Sequence, residues 1–206
     1  DRMMRCDWFV VFDTVQFNPR HEENRARLKG PQGPQWLTVP VHKQSREQRI
    51  LETRVSYDHP WQQDAVRTLQ HLYGKAPFYA RHHQEVEAVI TAGHEMLTDL
   101  DIASWKPALD LLRPSCRFVR ASELPVEGHG PGLLLDICRH LGADTYLSGG
   151  FGREYLDTSA FTAAGVEVRF HEYEHPVYPQ RFGEFAPWLS YLDMLFHTGL
   201  CATAVG

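Results

Sequence analysis

Leu141-Gly142-Ala143-Asp144-Thr145-Tyr146-Leu147-Ser148-Gly149-Gly150 decides the fold class. Leu141 shares one helical face with Leu134, Ile137 and Cys138, and Gly142 stops that helix. Thr145-Tyr146-Leu147 is then a short strand that runs into Ser148-Gly149-Gly150-Phe151-Gly152. Upstream, Cys116-Arg117-Phe118-Val119-Arg120 alternates as a strand does, and downstream so does Val166 to Tyr173. Trp188, Leu192, Leu195 and Phe196 trace a last helix closed by Gly199. The second half thus reads strand, helix, strand, helix, strand, helix. That order predicts an α/β fold with a mostly parallel sheet flanked by helices.

The first half fits the same class. Trp8-Phe9-Val10-Val11-Phe12 is a continuous apolar run, as in strands buried on both faces, and it stops at Asp13. Residues 18–35 are polar and rich in Arg, Gly and Pro, which predicts a loop. Trp36 to Val41 reads as a strand with Pro40 at an edge, residues 42–49 as a solvated loop, and Ile50 to Tyr57 as a weaker strand. Helical spacing then gives Trp61, Ala65, Leu69 and Leu72 up to Gly74, and Val86, Val89, Ile90, Gly93, Met96 and Leu97. A third set is Ile102, Trp105, Leu109 and Leu112, with Pro107 starting that helix late or kinking it. One domain over residues 1–206 is the expectation, with a helical subdomain at about 60–113.

Composition excludes several classes. Lys and Arg number 21 against 26 Asp and Glu, so the net charge of −5 argues against DNA as a partner. No apolar run is long enough for a membrane span, and no signal peptide is visible. Cys6, Cys116, Cys138 and Cys201 show no Cys-x-x-Cys spacing, so reduced thiols in a cytoplasmic protein are expected. No His or carboxylate spacing points to a metal; His42, His82 and His83 read as surface residues.

Polar residues cluster after the strand-like runs. Asp13, with Gln16 close behind, stands at a strand end, where a carboxylate can bind an amine or act as a base. Asn24, Arg25 and Arg27 follow, and an arginine can clamp a phosphate or carboxylate; solvated loop residues are the alternative. Gly149 and Gly150 can present backbone N–H groups to an anion, although a plain tight turn reads equally well. Ser148 lacks the Gly-x-Ser-x-Gly surround of an activated nucleophile. His175-Pro176-Val177-Tyr178-Pro179-Gln180 is a stiff loop that presents Tyr178 and Gln180, or else a packed turn.

Several blocks together resemble the WbqC-like protein family. They are Asp13-x-Val15-Gln16-Phe17, Asn24-Arg25, Trp36-Leu37-Thr38-Val39-Pro40-Val41, the quoted Leu141–Gly149 stretch and Tyr155-Leu156-Asp157. His175-Pro176-x-Tyr178-x-Gln180 and Leu189-Ser190-x-x-Asp193-x-Leu195-Phe196 complete the set. An opening His-Gln-Pro-x-Tyr-x-Pro-Trp stretch usual in the family is missing, Thr14 replaces a second Asp, and Glu22-Glu23 replaces a Trp. The start is therefore expected to be truncated.

The resemblance implies a glycine (aminoacyl) transferase that forms an amide on an amino sugar in polysaccharide, O-antigen or natural-product biosynthesis. It makes Asp13, Ser148 and His175 the catalytic candidates. Gln16, Asn24, Arg25, Thr38, Gly149, Gly150, Tyr155, Tyr178 and Gln180 are the substrate-binding ones. Small-molecule partners follow: an amino acid, an amino sugar or a nucleotide sugar. No cofactor is fixed by the sequence; ATP, an activated aminoacyl donor and a homo-oligomer all stay open. An ATP-dependent ligase or nucleotidyltransferase, and a non-catalytic sugar-binding protein, are the other readings.

Overall fold

The computed structural model describes residues 1–42 and 45–200. Among them the strands are β1 (Trp8–Val11), β2 (Arg25–Gly30), β3 (Gly33–Thr38), β4 (Val41–His42), β5 (Arg54–Val55), β6 (Arg117–Arg120), β7 (Thr145–Gly149) and β8 (Glu167–His171). The helices are α1 (Trp61–Tyr73), α2 (Tyr79–Thr91), α3 (Leu97–Leu112), α4 (Gly130–His140), α5 (Ser159–Ala163) and α6 (Tyr191–Thr198). The chain is α/β and divides into two units, one of residues 1–15 and 114–174, the other of residues 16–113 and 175–206.

The first unit carries the parallel pairs. β1 runs alongside β6 with Trp8 opposite Arg117, and β7 alongside β8 with Thr145 opposite Glu167. The β7–α5–β8 crossover is short, and Gly165, at φ +76, makes the turn into β8. Helix α4 joins two small cores because its apolar residues occupy two faces. Leu133 and Ile137 pack with Val10 and Phe12. Leu135 and Cys138 pack with Phe161 and Val166. Cys6, Cys116 and Cys138 are free thiols; Cys201 lies outside the described residues. Burial and the neighbouring Cys116 push the Cys6 thiol up to about 11.

The second unit departs from the expected loops. Residues 18–35, expected as a loop, contain β2 and the start of β3, which form an antiparallel hairpin with Arg25 opposite Thr38 and Gly30 opposite Gly33. Arg25-Ala26-Arg27-Leu28-Lys29 alternates with period two, but its charged positions mask the signal because Lys29 is buried along with Leu28. Ile50 to Tyr57 forms a 3-10 turn and only the two-residue β5, antiparallel to β4. The solvated loop expected at residues 42–49 lies partly outside the described residues, and its Gln48 is buried. The second expected helix stops at Thr91, because Gly93 takes φ +76; Leu97 instead opens α3. Pro107 neither delays nor ends α3, which runs from Leu97 to Leu112 with Pro107 buried inside it. Helix α6 is stopped by Gly199 at φ +70, where an added Cβ would also meet the Phe78 ring at 2.8 Å. Trp188 lies outside α6.

A polar network crosses the core of this unit. The Asp193 carboxylate is 0% exposed and accepts from Tyr73 Oη, Tyr178 Oη and Gln180 Nε2, each at 3.0 Å. Gln180 Nε2 also donates to the Ala186 carbonyl at 3.1 Å, and its Oε1 accepts from Ala186 N at 2.9 Å and from Lys29 Nζ at 3.0 Å. Both amide donors and both acceptor sites of Gln180 are therefore filled. Lys29, 2% exposed, also donates to the Glu184 carbonyl. His197 Nε2 accepts from Arg181 N at 3.1 Å, which places the ring proton on Nδ1, 2.7 Å from the Asp193 carbonyl oxygen. Burial and Asp193 raise the Tyr73 pKa, so its hydroxyl stays a donor.

Removing the central acceptor strands its buried donors. Asp193→Ala is expected to lower unfolding stability by about 3–5 kcal/mol, the scale of breaking a buried charged network. Tyr178→Phe removes one bond to a charged group and is expected to lower it by about 1.5–3 kcal/mol. Urea midpoints at unchanged m-value measure both.

Candidate functional site

In the first unit the candidate chemistry gathers at the carboxyl ends of β7 and β8, where Gly149 lies opposite His171. Ser148 is buried, and its hydroxyl donates to the Gly149 carbonyl at 3.2 Å. Gly152 folds over it so closely that an added Cβ would fall 2.1 Å from Ser148 Oγ. Gly149 faces Arg2, with Nη1 3.7 Å from where a Cβ would stand, and Gly150 faces the His171 carbonyl at 3.6 Å from the same construction. The glycines thus leave backbone without a side chain beside the Arg2 guanidinium and the His171 carbonyl.

His171 Nε2 contacts an Asp1 carboxylate oxygen, and that carboxylate also pairs with Arg5 at 2.8 Å. Burial, then Arg2 and Arg5, hold the His171 pKa below the ordinary imidazole value. A neutral ring that donates Nε2–H to Asp1 has its basic lone pair on Nδ1. Tyr155 and Phe151 project from the following turn and are exposed. Arg153 lies over Phe170 at 4.7 Å and pairs with Glu172 at 2.5 Å.

Asp13 follows β1 as expected and is only 1% exposed. Its two oxygens accept from Ser122 N at 3.0 Å and Ser122 Oγ at 2.7 Å. This carboxylate ties the end of β1 to the 3-10 turn Ala121–Glu123 that follows β6.

The remaining expected site residues belong to the second unit. Gln16 donates to the Arg46 carbonyl. Asn24 is buried; its Nδ2 donates to the Val39 carbonyl at 2.8 Å, while Oδ1 has no hydrogen-bond partner among the described residues. Arg25 donates from Nε to the His21 carbonyl at 3.0 Å and from Nη2 to the Arg20 carbonyl, and it stacks on Trp36 at 4.1 Å. Thr38 is exposed opposite Arg25. Tyr178 and Gln180 direct their polar atoms into the Asp193 network. His175 donates Nδ1–H to the Pro176 carbonyl at 2.8 Å, and its ring meets those of Trp188, Phe185 and Tyr178 at 5.3, 5.6 and 6.3 Å.

The sequence singles out His171 together with His175, but sets the pair aside as too far apart along an extended strand to share a metal, and assigns His171 no role. Two further residues escaped sequence reasoning. Asp101 lies in an ordinary helical pattern, yet burial, with Glu23 nearby, pushes its carboxyl up to about 8. His82, read as a surface residue, is buried, because α2 turns it inward with Tyr79 and Val86; burial lowers its pKa. A shallow groove of about 670 Å³ lined by Gln63, Arg67, Gln84 and Glu87 among others contains none of the expected site residues. Among the described residues no three His, Cys, Asp or Glu side chains come together to hold a metal ion, and no helix is long and apolar enough to cross a membrane.

The fold and these sites define an α/β protein whose parallel strands end in a glycine-lined turn beside a neutral histidine. The chain belongs to the WbqC-like protein family, which it matches over residues 1–205. It is 29% identical over 202 residues to the Mycobacterium tuberculosis (strain ATCC 25618 / H37Rv) protein named "Uncharacterized protein Rv1507c", a match covering 97% of this chain and 87% of that protein. No solved structure matches it.

Ser122→Ala should separate support from chemistry at Asp13. It removes one hydrogen bond to a buried carboxylate, and stability is expected to fall by about 1.5–3 kcal/mol. A melting curve unchanged from the parent would show that the Asp13–Ser122 link carries no structural weight.

Proposed function

We propose that this chain is an acyl-transfer enzyme that joins an activated amino acid, glycine in the simplest case, to the amine of an amino sugar. The observation that carries this reading is the pairing of glycine backbone with a neutral, cation-flanked His171 at the ends of β7 and β8. Amide formation needs a base for the attacking amine and donors for the oxygen that gains charge. His171 Nδ1 supplies the base. The Gly149–Gly150 backbone supplies N–H groups at a place where no side chain blocks approach. Arg2 attracts the anionic leaving group of the donor.

In this step the amine nitrogen attacks the acyl carbon and the C–N bond forms. The bond from the acyl carbon to the donor's leaving group breaks, and the amine proton passes to His171. Ser148 and Asp13 hold the strand ends in this scheme, the first under Gly152 and the second against Ser122. Membership of the WbqC-like family, with the motif residues in place, supports an amino sugar or nucleotide-linked amino sugar as acceptor. ATP enters only where the donor must be activated in the same enzyme.

The test is incubation of the protein with glycine plus ATP, or with a preactivated glycyl donor, and a panel of amino sugars and nucleotide amino sugars. Mass spectrometry reads the gain of one glycyl residue on the acceptor. A product from the preactivated donor alone supports transfer; a product only with ATP and AMP release makes the enzyme a ligase. No amide under any pairing overturns the reading. The pH profile adds a second check. A lowered pKa keeps the His171 base form present below the ordinary imidazole range, so the acid limb of kcat/KM is expected below that range and is lost in His171→Gln.

A further inference from the structure

Cys6 and Cys116 stand just ahead of the two strands of the β1–β6 pair. Trp8 is opposite Arg117, and Arg117 N donates to the Asp7 carbonyl at 2.8 Å, so the pairing reaches back to the residues beside both cysteines. One step before the Trp8–Arg117 pair, Asp7 falls opposite Cys116, and Cys6 is one position off. A strand spacing of about 4.8 Å and a rise of about 3.3 Å per residue put the two Cα atoms roughly 6 Å apart, inside the range that a disulfide spans. The chain bends at Asp7, and the two thiols are in hydrogen-bonding contact. Cys116 is 7% exposed and Cys6 is partly exposed, so a reagent reaches the pair from the Cys6 side. Cys138 packs in a separate cluster with Phe161 and Val166.

We propose that Cys6 and Cys116 are a disulfide-forming pair, a modification site that fastens the segment carrying Asp1 and Arg2 to the start of β6. In that segment Asp1 contacts His171 and Arg2 faces Gly149. A small disulfide such as oxidised glutathione is the oxidant. The Cys6 thiolate attacks one of its sulfurs and forms a mixed disulfide, and one glutathione leaves as a thiolate. Cys116 then loses its proton and attacks Cys6 Sγ; the mixed disulfide breaks and the second glutathione leaves. Two protein thiols are oxidised to one disulfide, and one glutathione disulfide is reduced to two thiols. The surroundings favour a lasting bond over a catalytic one. Burial, Cys116 and Asp7 push the Cys6 thiol up to about 11, against the opposing charge of Arg2. Redox catalysts and oxidation sensors hold the attacking thiol low, which speeds attack and makes the disulfide easy to reduce. A thiol held high reacts slowly at neutral pH, and as a poor leaving group it is slow to be released again. The inference holds without the acyl-transfer reading.

The experiment incubates the intact, folded protein with a graded excess of oxidised glutathione, and with dithiothreitol as the reduced reference. Intact-mass and peptide-map mass spectrometry are expected to show the loss of two hydrogens and a Cys6–Cys116 cross-link within one chain. Cys6→Ser and Cys116→Ala are each expected to abolish the cross-link, and Cys138→Ser to leave it. The bond closes a loop of roughly 110 residues, so the oxidised protein is expected to melt higher by about 5 °C or more, and Cys6→Ser to show no rise. Hydrogen exchange across residues 2–5 is expected to slow on oxidation in the parent and not in Cys6→Ser. A glutathione adduct that persists on Cys6, a bond from Cys6 to Cys138 or Cys201, or no loss of mass overturns the proposal. So does a Cys6–Cys116 bond that leaves both the melt and the exchange of residues 2–5 unchanged, since the segment is then not fastened. Because the bond is read by mass, failure of amide synthesis leaves it standing, and failure of the bond leaves acyl transfer to its own test.

Discussion

The second unit depends on one buried carboxylate. Asp193 is fully buried, so its charge is tolerable only while Tyr73, Tyr178 and Gln180 donate to it together. Those donors come from three places: the end of α1 and two positions in the loop ahead of α6. Lys29 enters from β2 by way of Gln180. One charge thereby fixes where a helix end, a hairpin strand and a long loop must meet. The apolar cluster around it, with Leu28, Leu72, Leu195 and Phe196, supplies the burial that makes each missing donor costly.

The first unit obeys a different constraint. Its parallel pairs need crossover helices, and parallel strands leave their carboxyl ends facing the turns that follow them. Asp13, Gly149 and His171 all sit at or just beyond such ends. Two of these ends are locked by serine chemistry. Ser122 fills both oxygens of Asp13, and Gly152 closes over Ser148. The proposed chemistry therefore rests on the glycine backbone and on the His171 ring, whose Nε2 is held by Asp1.

Sequence alone revealed what periodicity and turn chemistry control. The strand Trp8–Val11, helix α4 with its Gly142 stop, and strands β6, β7 and β8 all follow from apolar spacing broken by glycine. The hairpin at residues 25–38 did not, because arginines on a strand resemble a solvated loop until Trp36 is seen stacking under Arg25 and Arg27. The break at Gly93 was hidden by apolar residues that keep helical spacing on both sides of it. Tyr178 and Gln180 stood out as a motif, yet the partner that explains them lies 15 and 13 residues onward, and Tyr73 lies 120 residues from Asp193. A motif exposes residue types; only the fold tells whether a hydroxyl points at a ligand or into the core.

That distinction changes how the His175–Gln180 motif relates to function. Tyr178 and Gln180 have their polar atoms engaged with Asp193, Ala186 and Lys29, so their contribution is to hold the loop that carries His175 and Trp188. A loop that is already ordered pays little conformational entropy when a ligand arrives, whereas a mobile one would lose about 0.5–1.5 kcal/mol for each side chain it must immobilise. Lys29 and Gln180 hold the backbone between the two left-handed residues Phe182 and Trp188, at Glu184 and Ala186. The buried network and the exposed ring are thus linked: charge satisfaction in the core braces the loop that carries Trp188, whose ring also packs against His175 at 5.3 Å.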